Sequence, residues 1–200
     1  MSGKVILLNG ASSSGKSTLA RALQAKMEFP FWHISIDHLI AAQILPSERI
    51  KSGEFPWKEL RLPFFEGFHN SIPALASAGN NLIVEHIVET EEWMHRLLYL
   101  LEPYDVFFVG IHCPLPELER RELERGDRKN GEAKHDFETT HNFCTYDIEI
   151  DSTHALDQNV TSVINAWKMR SPLSAFSIMS EALKLKTNSN ELTTPSEADL

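Results

Sequence analysis

The chain has 200 residues, of which 42% are hydrophobic and 24% charged, and a formal net charge of -9. Its length fits one domain with a short appended segment, and its acidity argues against nucleic-acid and membrane partners, which need a basic face. No apolar run approaches the roughly 18 residues of a membrane span, and the N-terminus lacks the apolar length of a signal peptide, so we expect a cytoplasmic protein.

Short β-rich apolar runs alternate with longer segments of helical period, which predicts an α/β fold with a parallel five-stranded sheet and helices on both faces. The first four strand candidates are apolar enough to be covered on both faces, whereas the fifth alternates and is expected at an edge. The strand candidates are residues 4–8, 31–36, 81–84, 105–111 and 146–150, and the helix candidates are residues 16–27, 60–78, 91–101, 115–124 and 153–167.

The first strand candidate leads into GASSSGKST, which satisfies G-x-x-x-x-G-K-[ST] and opens the first helix. Main-chain N–H groups bind polyphosphate, so such a loop needs little side-chain bulk and must tolerate positive φ. The Lys16 ammonium would reach the β- and γ-phosphates, and the Ser17 hydroxyl would bind Mg²⁺. The alternative is a serine-rich turn without a ligand. The predicted ATP site consists of Gly10, Ala11, Ser12, Ser13, Ser14, Gly15, Lys16, Ser17 and Thr18.

The second strand candidate leads into Asp37. Open α/β sheets bind ligands at the carboxyl ends of their strands. A carboxylate at this position could accept the proton of an incoming hydroxyl while the γ-phosphoryl group leaves ATP. Asp37 is therefore a candidate catalytic base, with the N-cap of the following helix as the alternative role.

The third strand candidate ends at Glu85, where a P-loop protein usually has the carboxylate that holds Mg²⁺. Glu85 is a candidate metal ligand together with Ser17, and the alternative is a carboxylate at the rim of the site with no nucleotide role. We expect the neighbouring His86 to be a rim side chain rather than a ligand.

The segment ERRELERGDRKNGEAK concentrates the positive charge of an otherwise acidic chain. Arginine binds phosphate oxygens bidentately, and Gly126 and Gly131 could let the segment close over a nucleotide as a lid. The alternative is a solvated helix with internal acidic partners, which we favour for Arg120 but not for Arg125 and Arg128.

These motifs, together with His141 and the segment YDIEIDST that begins at Tyr146, resemble the chloramphenicol phosphotransferase family of small P-loop kinases over about residues 3–168. The resemblance implies ATP, Mg²⁺ and phosphoryl transfer to a small-molecule hydroxyl. It implies that Asp37 is the base and that Arg125 and Arg128 are catalytic lid arginines. It also implies that Asp151, Ser152 and Thr153 lie near adenine.

The acceptor pocket cannot be matched to an antibiotic site. His38, Phe55, Trp57 and Phe65 could line it, although aromatic residues at such spacing are more often part of the core. Kinases of shikimate, gluconate or adenylyl sulfate share this architecture. A nucleotide-binding regulatory protein without small-molecule kinase activity is the alternative from another functional class.

The end of the chain changes in character. We expect a P-loop kinase domain over residues 1–170, an additional packed helix over residues 171–186, and a mobile polar tail over residues 187–200. The two cysteines, Cys113 and Cys144, have no metal-ligand spacing and are expected to be reduced core thiols.

Overall fold

The computed structural model describes residues 2–125 and 131–191. Its centre is a parallel five-stranded sheet in the order β2-β3-β1-β4-β5. This confirms the predicted sheet and the edge position of the last strand. The strands are β1 Val5–Asn9, β2 Phe31–Ser35, β3 Asn81–His86, β4 Val106–His112 and β5 Ile148–Asp151.

The described helices cover both faces of the sheet, as predicted. They are α1 Lys16–Lys26, α2 Ile36–Ala41, α3 Ser47–Lys51, α4 Trp57–Ser77, α5 Glu91–Leu101, α6 Leu115–Arg125, α7 Glu132–Thr139, α8 Leu156–Lys168 and α9 Ala175–Glu191.

Alternate residues of β1 belong to two separate cores. Val5 and Leu7 pack into a cluster with residues of α4, α5 and α9. Ile6 and Leu8 pack into a cluster with residues of α1 and α8. Because both faces of this strand are covered, its sequence is a continuous apolar run.

The position of β2 differs from the prediction. We expected β2 to be covered on both faces, but it forms the other edge of the sheet, and Trp32 is 50% exposed. Phe31 is buried because it packs edge-on against Trp167, with ring centres 5.8 Å apart. The apolar run therefore reflects contacts of individual side chains rather than a central place in the sheet.

The segment between β2 and α4 forms two short helices that the sequence analysis did not predict. Neither α2 nor α3 contains a buried residue in this fully described segment. The long helix α4 begins at Trp57, earlier than expected, and neither Pro63 nor Pro73 ends it.

The C-terminal helix α9 packs against α5 and β4, and its Phe176 is buried in the core. It extends to Glu191, beyond the end predicted at residue 186, so the first part of the predicted tail is helical. Residues 192–200 lie outside the described residues. Within the described part of the chain, the helices are too short or too polar to cross a membrane.

Candidate active site

A cleft of about 1760 Å³ opens at the carboxyl ends of the strands. A pocket for one drug-sized ligand typically occupies about 300 to 1000 Å³, so this cleft has room for a nucleotide and a second small molecule. The segment with the G-x-x-x-x-G-K-[ST] motif, residues 10–17, is called the phosphate loop below. Several of its residues line the cleft together with Asp37, Arg61 and Glu85. The structure thus brings several of the predicted nucleotide and acceptor residues to one cleft.

The phosphate loop connects β1 to α1 and requires unusual backbone geometry. Gly15 has φ 93°, and Ser13 has φ 62°, both in the left-handed region. At Gly10 a Cβ atom would lie 2.7 Å from the backbone oxygen of Ile111, so only glycine fits. These constraints explain the two glycines of the motif.

The polar groups of the loop are arranged to receive an anion. The buried Lys16 ammonium donates to the backbone oxygens of Gly10 and Ala11, each at 2.7 Å. The buried hydroxyls of Ser13 and Ser14 have no hydrogen-bond partner among the described residues. Since buried polar groups are normally paired, these hydroxyls fit a loop whose partner is a bound polyphosphate.

Glu85 lies beside the start of α1. One carboxylate oxygen accepts a hydrogen bond from Ser17 Oγ at 2.7 Å, and the other is hydrogen-bonded to His33 Nε2. Burial alone would raise the pKa of Glu85, but the bonds from His33 and Ser17 and the charge of Lys16 lower it overall. The ionised carboxylate and the hydroxyl form an all-oxygen donor set that fits Mg²⁺.

Asp37 lies in the first turn of α2, is exposed, and lines the cleft. The side chain that caps α2 is Ser35, whose Oγ accepts from the backbone N–H of His38 at 3.1 Å. The alternative role of Asp37 as the N-cap is therefore wrong. Its position on the cleft wall stays compatible with a role as base.

The wall beyond Asp37 contains a fixed ion pair. Arg61 Nη2 lies 2.6 Å from a Glu89 oxygen, and the guanidinium lies 4.9 Å from the ring centres of both Phe65 and Trp93. Charge pairing and two aromatic faces hold the guanidinium in place. Sequence reasoning missed this pair because Arg61 lies inside a helix without any motif.

The predicted aromatic residues of the acceptor wall are only partly confirmed. His38, Trp57 and Phe65 line the cleft, whereas Phe55 packs under Arg49, whose guanidinium is 4.1 Å from its ring centre. His86 contributes to the lining of the cleft, but its side chain is buried rather than exposed at the rim.

His86 forms a buried pair with His69, and their Nε2 atoms are 2.6 Å apart. Burial is the main cause that lowers the pKa of His69 to about 4 and that of His86 to about 3. The two rings therefore stay neutral at physiological pH.

On the opposite side of the phosphate loop, Arg121 contacts the residues expected near adenine. Its guanidinium donates to the backbone oxygen of Ser13 at 3.4 Å and to the hydroxyl and backbone oxygens of Ser152, both at 3.2 Å. Asp151 accepts bonds from the backbone N–H and hydroxyl of Thr153. Arg121, a residue of the positive segment, thus fixes the loop after β5 against the phosphate loop.

The other arginines of the positive segment have different positions. Arg120 pairs with Glu117 and Glu124 on its own exposed helix face, as the solvated alternative predicts. The side chain of Arg125 and all of Arg128 lie outside the described residues, so their lid role stays a prediction.

The residue before the phosphate loop is linked to His141, one of the residues that carry the family resemblance. Asn9 Nδ2 donates to the Tyr146 hydroxyl at 2.9 Å, and that hydroxyl is 2.6 Å from His141 Nδ1. Burial lowers the pKa of His141 to about 4, so its ring is neutral and Nδ1 can accept the tyrosine proton. These hydrogen bonds hold Asn9, the residue that precedes the phosphate loop, in place.

A model of the chloramphenicol phosphotransferase-like proteins matches residues 3–168. The chain belongs to this family. A Mycobacterium tuberculosis (strain H37Rv) protein, whose name assigns it provisionally as an O-phosphotransferase, is 32% identical over 170 residues, which cover 76% of each chain. Membership confirms the resemblance drawn from the motifs.

Solved structures of other kinases have the same fold as this chain. The adenylyl sulfate (APS) kinase CysC of Mycobacterium tuberculosis, solved with AMPPNP and APS, has a TM-score of 0.61 and 18% identity, and the match covers 84% of this chain and 98% of that one. Shikimate kinase from Aquifex aeolicus has a TM-score of 0.54 and 20% identity, with coverages of 95% and 99%. Family and fold together identify a kinase-type phosphotransferase with the P-loop architecture.

Proposed function

We propose that the protein transfers the γ-phosphoryl group of ATP to a hydroxyl of a small molecule. The observation that carries this proposal is that the phosphate loop and Asp37 line the same cleft. A nucleotide on the loop and an acceptor beside Asp37 would occupy the two halves of that cleft.

In the reaction, the acceptor oxygen forms a bond to the γ-phosphorus while the bond from that phosphorus to the β–γ bridging oxygen breaks and ADP leaves. Asp37 takes the hydroxyl proton. Lys16 holds the β- and γ-phosphates, and Arg125 and Arg128 stabilise the charge of the transferring group. Ser17 and Glu85 would hold Mg²⁺, which neutralises phosphate charge when it is bound.

The part of the cleft wall formed by Asp37, Arg61 and Glu89 favours a substrate without net negative charge. The positive charge of Arg61 is balanced by Glu89, and Asp37 adds a negative charge nearby. The Arg61–Glu89 pair has no net positive charge to attract a carboxylate on the acceptor, and Asp37 would repel that carboxylate. This argues against hydroxylated carboxylic acids such as gluconate and shikimate as acceptors.

The test is a screen of hydroxyl compounds for stimulated ADP release from Mg·ATP. Neutral alcohols should include a compound that accelerates ADP formation, and matched carboxylates should not. Lys16→Ala should abolish the stimulation while circular dichroism shows an intact fold. ATP binding without stimulation by any alcohol would instead indicate the regulatory alternative.

A further inference from the structure

Helix α7 contacts the first part of the phosphate loop. Ala133, Asp136 and Thr140, its C-cap, follow the spacing of one helix face and are all buried. Ala133 belongs to the same buried apolar cluster as Ala11. The backbone oxygen of Thr140 accepts from Asn9 Nδ2 at 2.9 Å. One face of α7 therefore contacts the first part of the loop along its length.

Asp136 makes the central contact of this face. Its carboxylate accepts the backbone N–H of Ser12 at 2.8 Å, although a buried carboxylate is costly to desolvate. The carbonyl of the same peptide unit, that of Ala11, accepts from Lys16 Nζ at 2.7 Å. Because the N–H and carbonyl of a trans peptide point in opposite directions, Asp136 and the Lys16 ammonium lie on opposite sides of that peptide.

This geometry separates the carboxylate from the phosphate-binding ammonium. Asp136 also contributes to the lining of the cleft, but its carboxylate lies on the other side of this peptide from the Lys16 ammonium, so it can hold the loop without pairing with that ammonium. The bond also withdraws the Ser12 N–H from the donors available to phosphate.

We propose that Asp136 is a positioning residue that fixes the Ala11–Ser12 peptide with its carbonyl toward Lys16. By accepting the Ser12 N–H, it gives the phosphate loop one backbone orientation before the nucleotide arrives. The inference rests on the proposed function only in that the loop binds nucleotide phosphates. The contribution of Asp136 is a hydrogen-bond acceptor at a fixed place, so asparagine can replace it.

Two measurements test this role. Hydrogen exchange of the Ser12 amide, followed by NMR without nucleotide, should be slow in the wild-type protein. Asp136→Ala should accelerate it at least tenfold and weaken ADP binding, measured by calorimetry, by roughly tenfold, since the loop would then have to be ordered when the nucleotide binds. Asp136→Asn should stay within about threefold of wild type in both. Glu138→Ala, on the exposed side of the same helix, is the matched control and should change neither.

Rapid exchange of the wild-type Ser12 amide would overturn the proposal, as would an Asp136→Ala variant that behaves like Glu138→Ala. An Asp136→Asn variant as impaired as Asp136→Ala would show that charge, not orientation, matters. If Asp136→Ala does not fold, the proposal is tested by hydrogen exchange of the Ser12 amide in the wild-type protein and by both measurements on Asp136→Asn. Neither measurement needs phosphoryl transfer, so absence of kinase activity would refute the proposed function alone.

Discussion

Replacing Asp37 by asparagine should separate catalysis from stability. Asparagine keeps the size of the side chain but removes the group that can take the hydroxyl proton. General-base assistance is worth about 10² to 10⁴ in rate, and the loose transition state of phosphoryl transfer favours the lower part of that range. We therefore expect kcat to fall about a hundredfold while ATP affinity stays within a few-fold.

The structural cost of this substitution should be small. Asp37 is exposed in the first turn of α2, where an acidic residue contributes about 0.3 to 1 kcal/mol through the helix dipole. For a chain of 200 residues, 1 kcal/mol corresponds to about 2 to 4 °C in melting temperature. The Tm of Asp37→Asn should accordingly fall by at most about 4 °C.

Ser35→Ala is the matched control because it removes the N-cap of the same helix and keeps Asp37. It should cost about 1 kcal/mol, and its kcat per folded molecule should fall far less than that of Asp37→Asn. The assay is coupled ADP release with an active acceptor, beside thermal unfolding of all three proteins. If Asp37→Asn retains kcat within about threefold, Asp37 is not the base.

Three further predictions concern the nucleotide side and the core. Arg121→Ala should weaken ATP binding roughly tenfold in calorimetry because it breaks the contacts between the phosphate loop and the loop after β5, whereas Arg120→Ala should leave affinity unchanged; equal effects would contradict the assignment. Glu85→Gln should raise the Mg²⁺ concentration needed for tight ATP binding about 10- to 100-fold, and an unchanged Mg²⁺ titration would exclude a metal role. The histidine pair His69 and His86 has lowered pKa values in the fold, so the unfolded chain binds more protons below about pH 6.5. The free energy of unfolding should therefore fall from pH 7 to pH 5, by up to about 1.4 kcal/mol per pH unit for each histidine, and a flat Tm profile over this range would contradict it.

The nucleotide half of the site could be predicted because it is local in sequence. The phosphate loop, its strand and its helix lie within one short stretch. Backbone constraints fix glycine at Gly10 and Gly15, and the need for a cation at the phosphates fixes Lys16. The sheet was predictable for a related reason, since strands covered on both faces give continuous apolar runs.

The parts of the site and of the fold that were not predicted depend on contacts between residues far apart in sequence. His33 pairs with Glu85, and Asp136 binds the Ser12 amide, across separations in sequence that no local pattern marks. The edge position of β2 was missed because Trp32 has the apolar character of a buried strand residue while half exposed. Strand order is set by packing of the whole domain, so local apolarity could not give it.

The absence of buried residues in α2 and α3 has a consequence for how this enzyme type could change its substrate. Apart from Ile36 and Leu39, which pack against the core, mutations in that segment disturb little packing, and most exposed substitutions alter stability by less than about 0.5 kcal/mol. The phosphate loop offers no such freedom, since most of its residues are buried. Directed evolution toward new acceptors should therefore find tolerated diversity in the segment between β2 and α4, apart from Asp37, while the nucleotide half stays nearly constant.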